Sequence, residues 1–240
     1  MTAKQSRFSF LTPSGARLTL DSAALPFEIE TMASQIRFAG SSYSRGFQVG
    51  GPNYHDNLQR DVMHDAKLVG RLMTADRREV RVSRSEDEDT TIATLIGDHH
   101  EVMTVFPGPA PTNSRVLGVF DSVDIRDSAE GMTVRLRSGS MVSLFSETTV
   151  IICAGLADLS IAAASPSSLP KWRGSATQHG QLWRNANRPD RAGLSAARRA
   201  DYLLAFPRAL VELVPAPRGV PDDVLLDWTD GLRIDWQHAA

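Results

Sequence analysis

The residues whose types and spacing best fit chemistry are the run Asp98-His99-His100-Glu101. Imidazole and carboxylate groups are common ligands of divalent metals, and such a metal activates a bound water for hydrolysis. His64 could share a helix face with Asp61 and Asp65, although a lone histidine beside carboxylates is more often a polar surface residue. The plainer interpretation of the run at 98–101 is a polar hairpin tip, and we expect no metal site there.

The same run resembles the signature of the DHH phosphoesterases, which implies divalent metal acting on water. That family also carries aspartate-rich motifs upstream on a doubly wound α/β sheet, and this sequence has neither. Asp87 and Asp89 stand in a charged turn with no apolar strand leading into it. A metal-dependent hydrolase using Asp98, His99 and His100 is therefore kept as an alternative.

No other local signature of catalysis is present. The sequence lacks a Gly-x-Ser-x-Gly elbow, a Walker loop, a dinucleotide fingerprint and a His-Glu-x-x-His motif. The single cysteine, Cys153, lies in an apolar run, so it cannot form an internal disulfide and we expect a small core residue. We expect no enzyme, no catalytic residue and no cofactor.

A second group of residues is defined by charge and aromatic rings. Residues 171–210 contain eight basic and two acidic residues, a net charge of +6, whereas residues 211–240 have a net charge of −4. This asymmetry suits contact between neighbouring copies, basic arm to acidic tail. It also permits nucleic-acid binding with tryptophans as stacking platforms, or a solvated loop whose tryptophans pack on their own domain. The candidate interaction residues are Trp172, Arg173, Trp183, Arg184, Arg188 and Arg191.

The elements that would position these residues are mostly strands. Alternation of apolar and polar residues predicts strands around a Thr12–Gly15 turn and three consecutive strands over 115–154, the first through Leu117 and Val119. Residues 91–96 and 102–106 flank the histidine run as two more strands. Residues 58–73 fit either a helix or a strand, and residues 40–57 are typical of an irregular loop.

The C-terminal third changes in character. Residues 165–193 are rich in Ser, Pro, Gly, Gln and Asn, which predicts a long polar arm. Ser195 is a candidate N-cap for a helix that runs through Leu204. Pro221-Asp222-Asp223 predicts one more helical turn, and Leu232, Ile234 and Trp236 predict a short terminal strand.

Together these patterns predict a mainly β fold, an antiparallel sandwich or barrel with a long irregular arm and a small helical C-terminal appendage. The expected division is a β-rich domain over 1–164 with a proline-rich connector at 107–113, a basic arm over 165–193, and a helix and strand over 194–240. A net charge of −2 gives no global attraction to nucleic acid or membranes. No apolar stretch predicts a membrane span or a signal peptide, so we expect a cytoplasmic or virion protein.

Residues 115–144, with Phe120, a short acidic turn and a glycine-led strand, resemble the β-domains of long-tailed bacteriophage tail-tip and baseplate proteins. The proline-rich connector and the Trp172–Trp183 arm are similar in style to arms that clasp neighbouring subunits. The resemblance implies a non-enzymatic structural protein that forms a homo-oligomer within a phage-type tail or similar assembly. A nucleic-acid-binding module using the basic arm is the remaining alternative.

Overall fold

A computed structural model describes residues 6–23, 25–41, 44–137, 142–165, 169–185 and 201–238. Strands greatly outnumber helices among these residues, which confirms the mainly β fold class. The elements in chain order are β1 (Arg7–Leu11), β2 (Arg17–Ser22), β3 (Ile29–Ala39), β4 (Ser44–Gly50), α1 (Tyr54–Asp61), β5 (Lys67–Met73), β6 (Glu79–Arg84), β7 (Thr90–Ile96), β8 (Glu101–Pro107), α2 (Asn113–Asp121), β9 (Val123–Ser128), β10 (Gly131–Leu136), β11 (Ser143–Cys153), β12 (Ala157–Ala163), β13 (Ser175–Ala176), β14 (Gln181–Asn185), β15 (Asp201–Ala205), β16 (Ala209–Pro215), α3 (Asp222–Gly231) and β17 (Leu232–Gln237).

The chain divides into two compact units, each with a hydrophobic core of its own. The first unit contains residues 1–10, 16–32 and 148–240, and the second contains residues 11–15 and 33–147. The chain therefore leaves the first unit and later returns to it. Contacts between strands that are distant in sequence define both units.

The first unit is built from two sets of antiparallel strands. One set has the order β1-β2-β17, and the other runs β13-β14-β15-β16-β12-β11. Both sets contribute to a single core, in which Leu18 and Trp236 from the smaller set accompany Leu159 and Val211 from the larger one. Helix α3 adds Trp228 to this core. Burial of these apolar side chains is the main favourable contribution to the folding free energy of this unit.

The second unit contains the antiparallel order β3-β4-β8-β7-β6-β5 and the separate hairpin β9–β10. The hairpin pairs Gly131 with Ser128 and Val134 with Ile125, so its inward residues alternate as the sequence predicts. Val134 and Ile125 share the core with Val102 of β8 and with Phe120 of α2. The sheet, the hairpin and α2 thus enclose the core of this unit.

Two predicted elements differ from the structure in the second unit. Leu117 and Val119 lie in helix α2 rather than in a strand, because the Thr112 side chain accepts the Arg115 backbone N–H and caps the helix. Val116, Val119 and Phe120 then bury one helical face. Residues 40–57 are not a continuous loop, since they contain β4 and the start of α1.

The two interpretations of residues 58–73 each hold for a part of the segment. Helix α1 ends at Asp61, and β5 begins at Lys67. In the C-terminal third, Leu203 and Leu204 belong to β15 rather than to a helix, because β15 pairs with both β14 and β16. Ser195, the candidate cap, lies outside the described residues. Strands β13 and β14 occupy part of the segment expected as an irregular arm.

Three other predictions are confirmed. The Thr12–Gly15 turn joins β1 and β2, with the Gly15 N–H donating to the Thr12 carbonyl at 2.8 Å. Helix α3 follows Pro221, and the terminal strand β17 pairs with β2. Within the described part of the chain, no helix combines the length and the apolar character needed to cross a membrane.

Candidate interaction surface

Three of the six predicted interaction residues, Trp172, Arg173 and Trp183, line a groove of the first unit, here called the Trp172 groove. It has a volume of about 580 Å³ and is lined by residues 169–173, 179–181, 183 and 205–207. The lining combines the tryptophan rings with Lys171 and Arg173. It therefore offers both apolar surface and positive charge to a partner.

The two tryptophans of this groove have different roles. Trp183 is only 6% exposed, whereas Trp172 is 67% exposed. The Trp183 indole N–H donates to the Trp172 backbone carbonyl at 2.8 Å, and a Cβ on Gly174 would lie 2.7 Å from the Trp183 ring. The chain at 172–174 thus runs against the buried indole of Trp183. Trp183 holds the loop in place, and Trp172 presents its ring to solvent.

Positive charge surrounds the exposed ring. Lys171, Arg173 and Arg184 are all exposed, and none of them forms an ion pair with another described residue. Arg208, on the neighbouring turn, differs because it forms a two-bond ion pair with Asp235 at 2.8 and 2.9 Å. Arg188 and Arg191 lie outside the described residues.

Negative charge is concentrated on the solvent face of α3. Asp222, Asp223 and Asp227 are exposed there together with Leu226, which is 40% exposed. None of the three aspartates forms an ion pair with another described residue. Asp222 and Asp223 also stabilise α3 itself, because negative charge in the first turn offsets the helix dipole. We call these four residues the acidic face of α3.

The loop between β13 and β14 connects the groove to α3 within the first unit. The Gln178 side chain donates to one Asp230 carboxylate oxygen at 2.9 Å, and its backbone N–H approaches the other at 3.3 Å. The next residue, His179, lines the Trp172 groove. The short loop that carries His179 of the groove is therefore hydrogen-bonded to helix α3, which carries the acidic face.

The Asp98–His100 run lies where the sequence places it, at the tip between β7 and β8. Its partner, Asp127, was not anticipated: this side chain accepts the backbone N–H groups of His99 and His100 and bonds the His100 ring nitrogen Nδ1 at 2.8 Å. Burial alone would raise the pKa of Asp127, but these hydrogen bonds outweigh burial and lower it. No group of three or more His, Cys, Asp or Glu side chains among the described residues is arranged to hold a metal ion.

The second unit also contains a buried polar cluster that the sequence patterns do not predict. His55 bonds Thr94 through Nδ1 at 2.8 Å and Ser83 through Nε2 at 2.9 Å, and its backbone N–H donates to Glu101 at 2.7 Å. A serine beside an imidazole has the geometry of an activated nucleophile. Ser83 and His55 are nevertheless 0% and 1% exposed, so no substrate reaches them and the cluster fastens α1 to the sheet. The sequence signal for this cluster was the presence of the polar residues Ser83 and Thr94 at buried positions of β6 and β7.

Cys153 is buried in the first unit, as the sequence predicts. Burial, followed by the nearby Asp158 charge, raises the pKa of its thiol to about 12. The thiol is therefore protonated at neutral pH, and a protonated thiol is a poor nucleophile.

Comparisons with known proteins give the chain no family. No family model matches it, and no curated protein matches it. A solved structure of MucB in complex with MucA(peri) is 12% identical and aligns with 88% of this chain and 94% of that chain, at a TM-score of 0.17.

Proposed function

We propose that this protein is a non-enzymatic assembly protein that binds further copies of itself. In the contact, the acidic face of α3 on one copy docks in the Trp172 groove of the next. The observation that carries the proposal is the exposed Trp172 ring, whose backbone carbonyl is bound by the Trp183 indole N–H and which is flanked by basic residues that form no ion pair with described residues.

The two surfaces complement each other in chemistry. Leu226 provides an apolar side chain for the groove, and the surrounding aspartates oppose Lys171 and Arg173. Aromatic residues and arginine are enriched at energetic centres of protein interfaces, with charge supplying orientation and specificity. A contact between two different patches produces a closed ring or an open chain of copies.

A non-catalytic role is part of this proposal. It is supported by the inaccessibility of the groups with nucleophilic chemistry, since Ser83, His55 and Cys153 are all buried. The His100 ring is already bonded to Asp127 at the hairpin tip. These groups contribute to stability in the positions that they occupy.

A phage-type tail or baseplate is the setting that the sequence resemblance implies, and it stays a prediction. The self-assembly proposal does not depend on it, because the groove and α3 are features of this chain alone. Mass spectrometry of purified particles from the source organism tests the setting, and absence of the chain from such particles contradicts it.

Charge reversal tests the proposed contact. We expect Lys171→Glu with Arg173→Glu, and separately Asp222→Lys with Asp223→Lys, each to weaken self-association by at least about tenfold, because like charges then face each other. An equimolar mixture of the two variants should associate again, because the acidic groove of the first variant is complementary to the basic α3 of the second. Sedimentation velocity measures all three samples.

The matched control is Arg218→Glu, which reverses an exposed charge of the same unit outside the groove. This variant should associate as the wild type does. Equal weakening by the control, or reversed variants that still associate like the wild type, would show that α3 and the groove are not the interface.

A further inference from the structure

A second groove lies in the second unit, where strands β4 and β8 cease to pair. Their ladder covers Gln48–Gly50 and Glu101–Met103, while β4 begins at Ser44 and β8 continues to Pro107. Beyond the ladder, the Thr104 hydroxyl donates to the Gly46 carbonyl at 2.9 Å. The opening between the strand ends has a volume of about 430 Å³, and we call it the Arg45 groove.

The lining of this groove is strongly basic. Arg37 of β3, Arg45 of β4 and Arg115 of α2 all line it, and no aspartate or glutamate does. The remaining polar side chains of the lining are neutral: Gln35, Ser44, Gln48 and Thr104. Gln35, Ser44 and Gln48 can each donate a hydrogen bond to an anion, whereas the Thr104 hydroxyl already donates to the Gly46 carbonyl.

Two of the guanidinium groups are held close to one ring. The Arg45 guanidinium carbon lies 4.7 Å from the centre of the Phe106 ring, and that of Arg115 lies 6.0 Å from it. Arg45 is further fixed because its Nη1 donates to the Val105 carbonyl at 3.1 Å. Phe106 is only 2% exposed, so it supports the arginines and does not present a stacking surface. The positive charges are therefore positioned before any ligand arrives.

Helix α2 adds to the positive potential. Arg115 lies in its first turn, which contains no acidic residue. The N-terminal end of a helix carries partial positive charge, so a cation there is unfavourable unless an anion is near. An anion beside the Arg115 guanidinium would therefore be favoured both by the arginine charge and by the helix dipole.

We propose that the Arg45 groove binds a small phosphate-type oxyanion, either free phosphate or a phosphate monoester. Guanidinium groups match the paired oxygens of phosphate and donate two parallel hydrogen bonds to them. The volume lies in the range of pockets that hold small ligands. A nucleic-acid strand fits less well, because Phe106 offers no exposed face for base stacking.

Calorimetric titration with inorganic phosphate, and separately with glycerol phosphate, tests this site in the full-length protein. We expect the wild type to bind at least one of the two, and the pair distinguishes a free anion from a monoester. Arg37→Gln and Arg115→Gln should each weaken binding by about tenfold, since each removes charge-assisted hydrogen bonds. Both side chains are exposed, so thermal unfolding should stay unchanged.

The control is Arg77→Gln, which removes an exposed arginine of the same unit that does not line the groove. Its affinity should equal that of the wild type. The proposal is overturned if neither phosphate compound binds, or if Arg77→Gln weakens binding as much as the groove variants. Tighter binding of a short single-stranded DNA than of both compounds would also overturn the small-ligand assignment.

Discussion

At the scale of single residues, the buried polar groups around His55 contribute more to the stability of the fold than the histidines at the β7–β8 tip do. His55, Thr94 and Ser83 satisfy one another inside the second unit, and Glu101 accepts the N–H groups of Asn53 and His55 at the start of α1. A buried polar group without a partner is costly, so these bonds make the position of α1 specific. The cluster resembles a catalytic pair in its distances alone, since solvent does not reach it.

His55 should make the stability of the protein depend on pH. Burial, the largest influence, lowers the pKa of His55 below its ordinary value of 6.5 in the folded state. The unfolded chain therefore binds this proton more readily, and the free energy of unfolding should fall as pH drops below about 6.5. Asp127 acts in a separate, more acidic range, because its folded pKa lies below 3.8.

Urea unfolding of the wild type and of His55→Gln between pH 5 and pH 8 measures this effect. At pH 8 we expect the variant to be less stable by about 2–4 kcal/mol, because two buried hydroxyls lose a partner. The difference should shrink as the pH falls toward 5. Two parallel stability curves would contradict the role assigned to His55.

At the scale of elements, backbone contacts decide where glycine is required. Gly131 begins β10 with a φ of +148°, and a Cβ there would lie 2.1 Å from the Leu11 carbonyl oxygen. That contact is with backbone, which cannot move aside as a flexible side chain does. Gly118, within α2, has an open surrounding instead. Substitution by alanine should therefore change the stability of the protein in opposite directions at the two glycines.

Gly131→Ala should destabilise the protein by about 2–3 kcal/mol, because both the φ angle and the carbonyl contact become strained. Gly118→Ala should stabilise it by about 0.5–1 kcal/mol, since alanine favours an exposed helical position. Thermal unfolding of both variants measures the two shifts. Shifts of the same sign would contradict the backbone contacts described for β10.

The elements that sequence predicts well are those with one regular pattern. Alternation found β9 and β10, and Pro221 with two aspartates found the start of α3. Helix α2 was missed because Leu117, Val119 and Val123 also fit a period of two, whereas the cap on Thr112 supports the helical period. Glycine-rich composition concealed β4. Strand β15 depends on pairing with β14 and β16, which no local pattern contains.

The candidate site was predictable only in part. Basic charge and tryptophan drew attention to the segment that forms the Trp172 groove, but composition does not distinguish an exposed tryptophan from a buried one such as Trp183. The Arg45 groove was not predicted, because it joins residues from four elements, β3, β4, β8 and α2. Its position depends on where a β ladder ends, and that is a property of tertiary structure.

At the scale of the whole molecule, the two units carry different surfaces. The first unit holds the Trp172 groove and the acidic face of α3, and the second holds the Arg45 groove. A chain with a net charge of only −2 thus contains strongly charged local regions of both signs. Local complementarity of this kind favours specific contacts between copies over general attraction to polyanions.

The mass of the protein in solution, measured by sedimentation equilibrium over a range of concentrations, tests self-assembly most directly. We predict a mass that rises above that of one chain with concentration, and that falls when ionic strength increases from about 0.1 M to about 1 M, where the Debye length shortens to about 3 Å. Trp172→Ala should keep the thermal stability of the wild type and lose most of the association. A wild type that stays at the mass of one chain under all conditions would contradict the account.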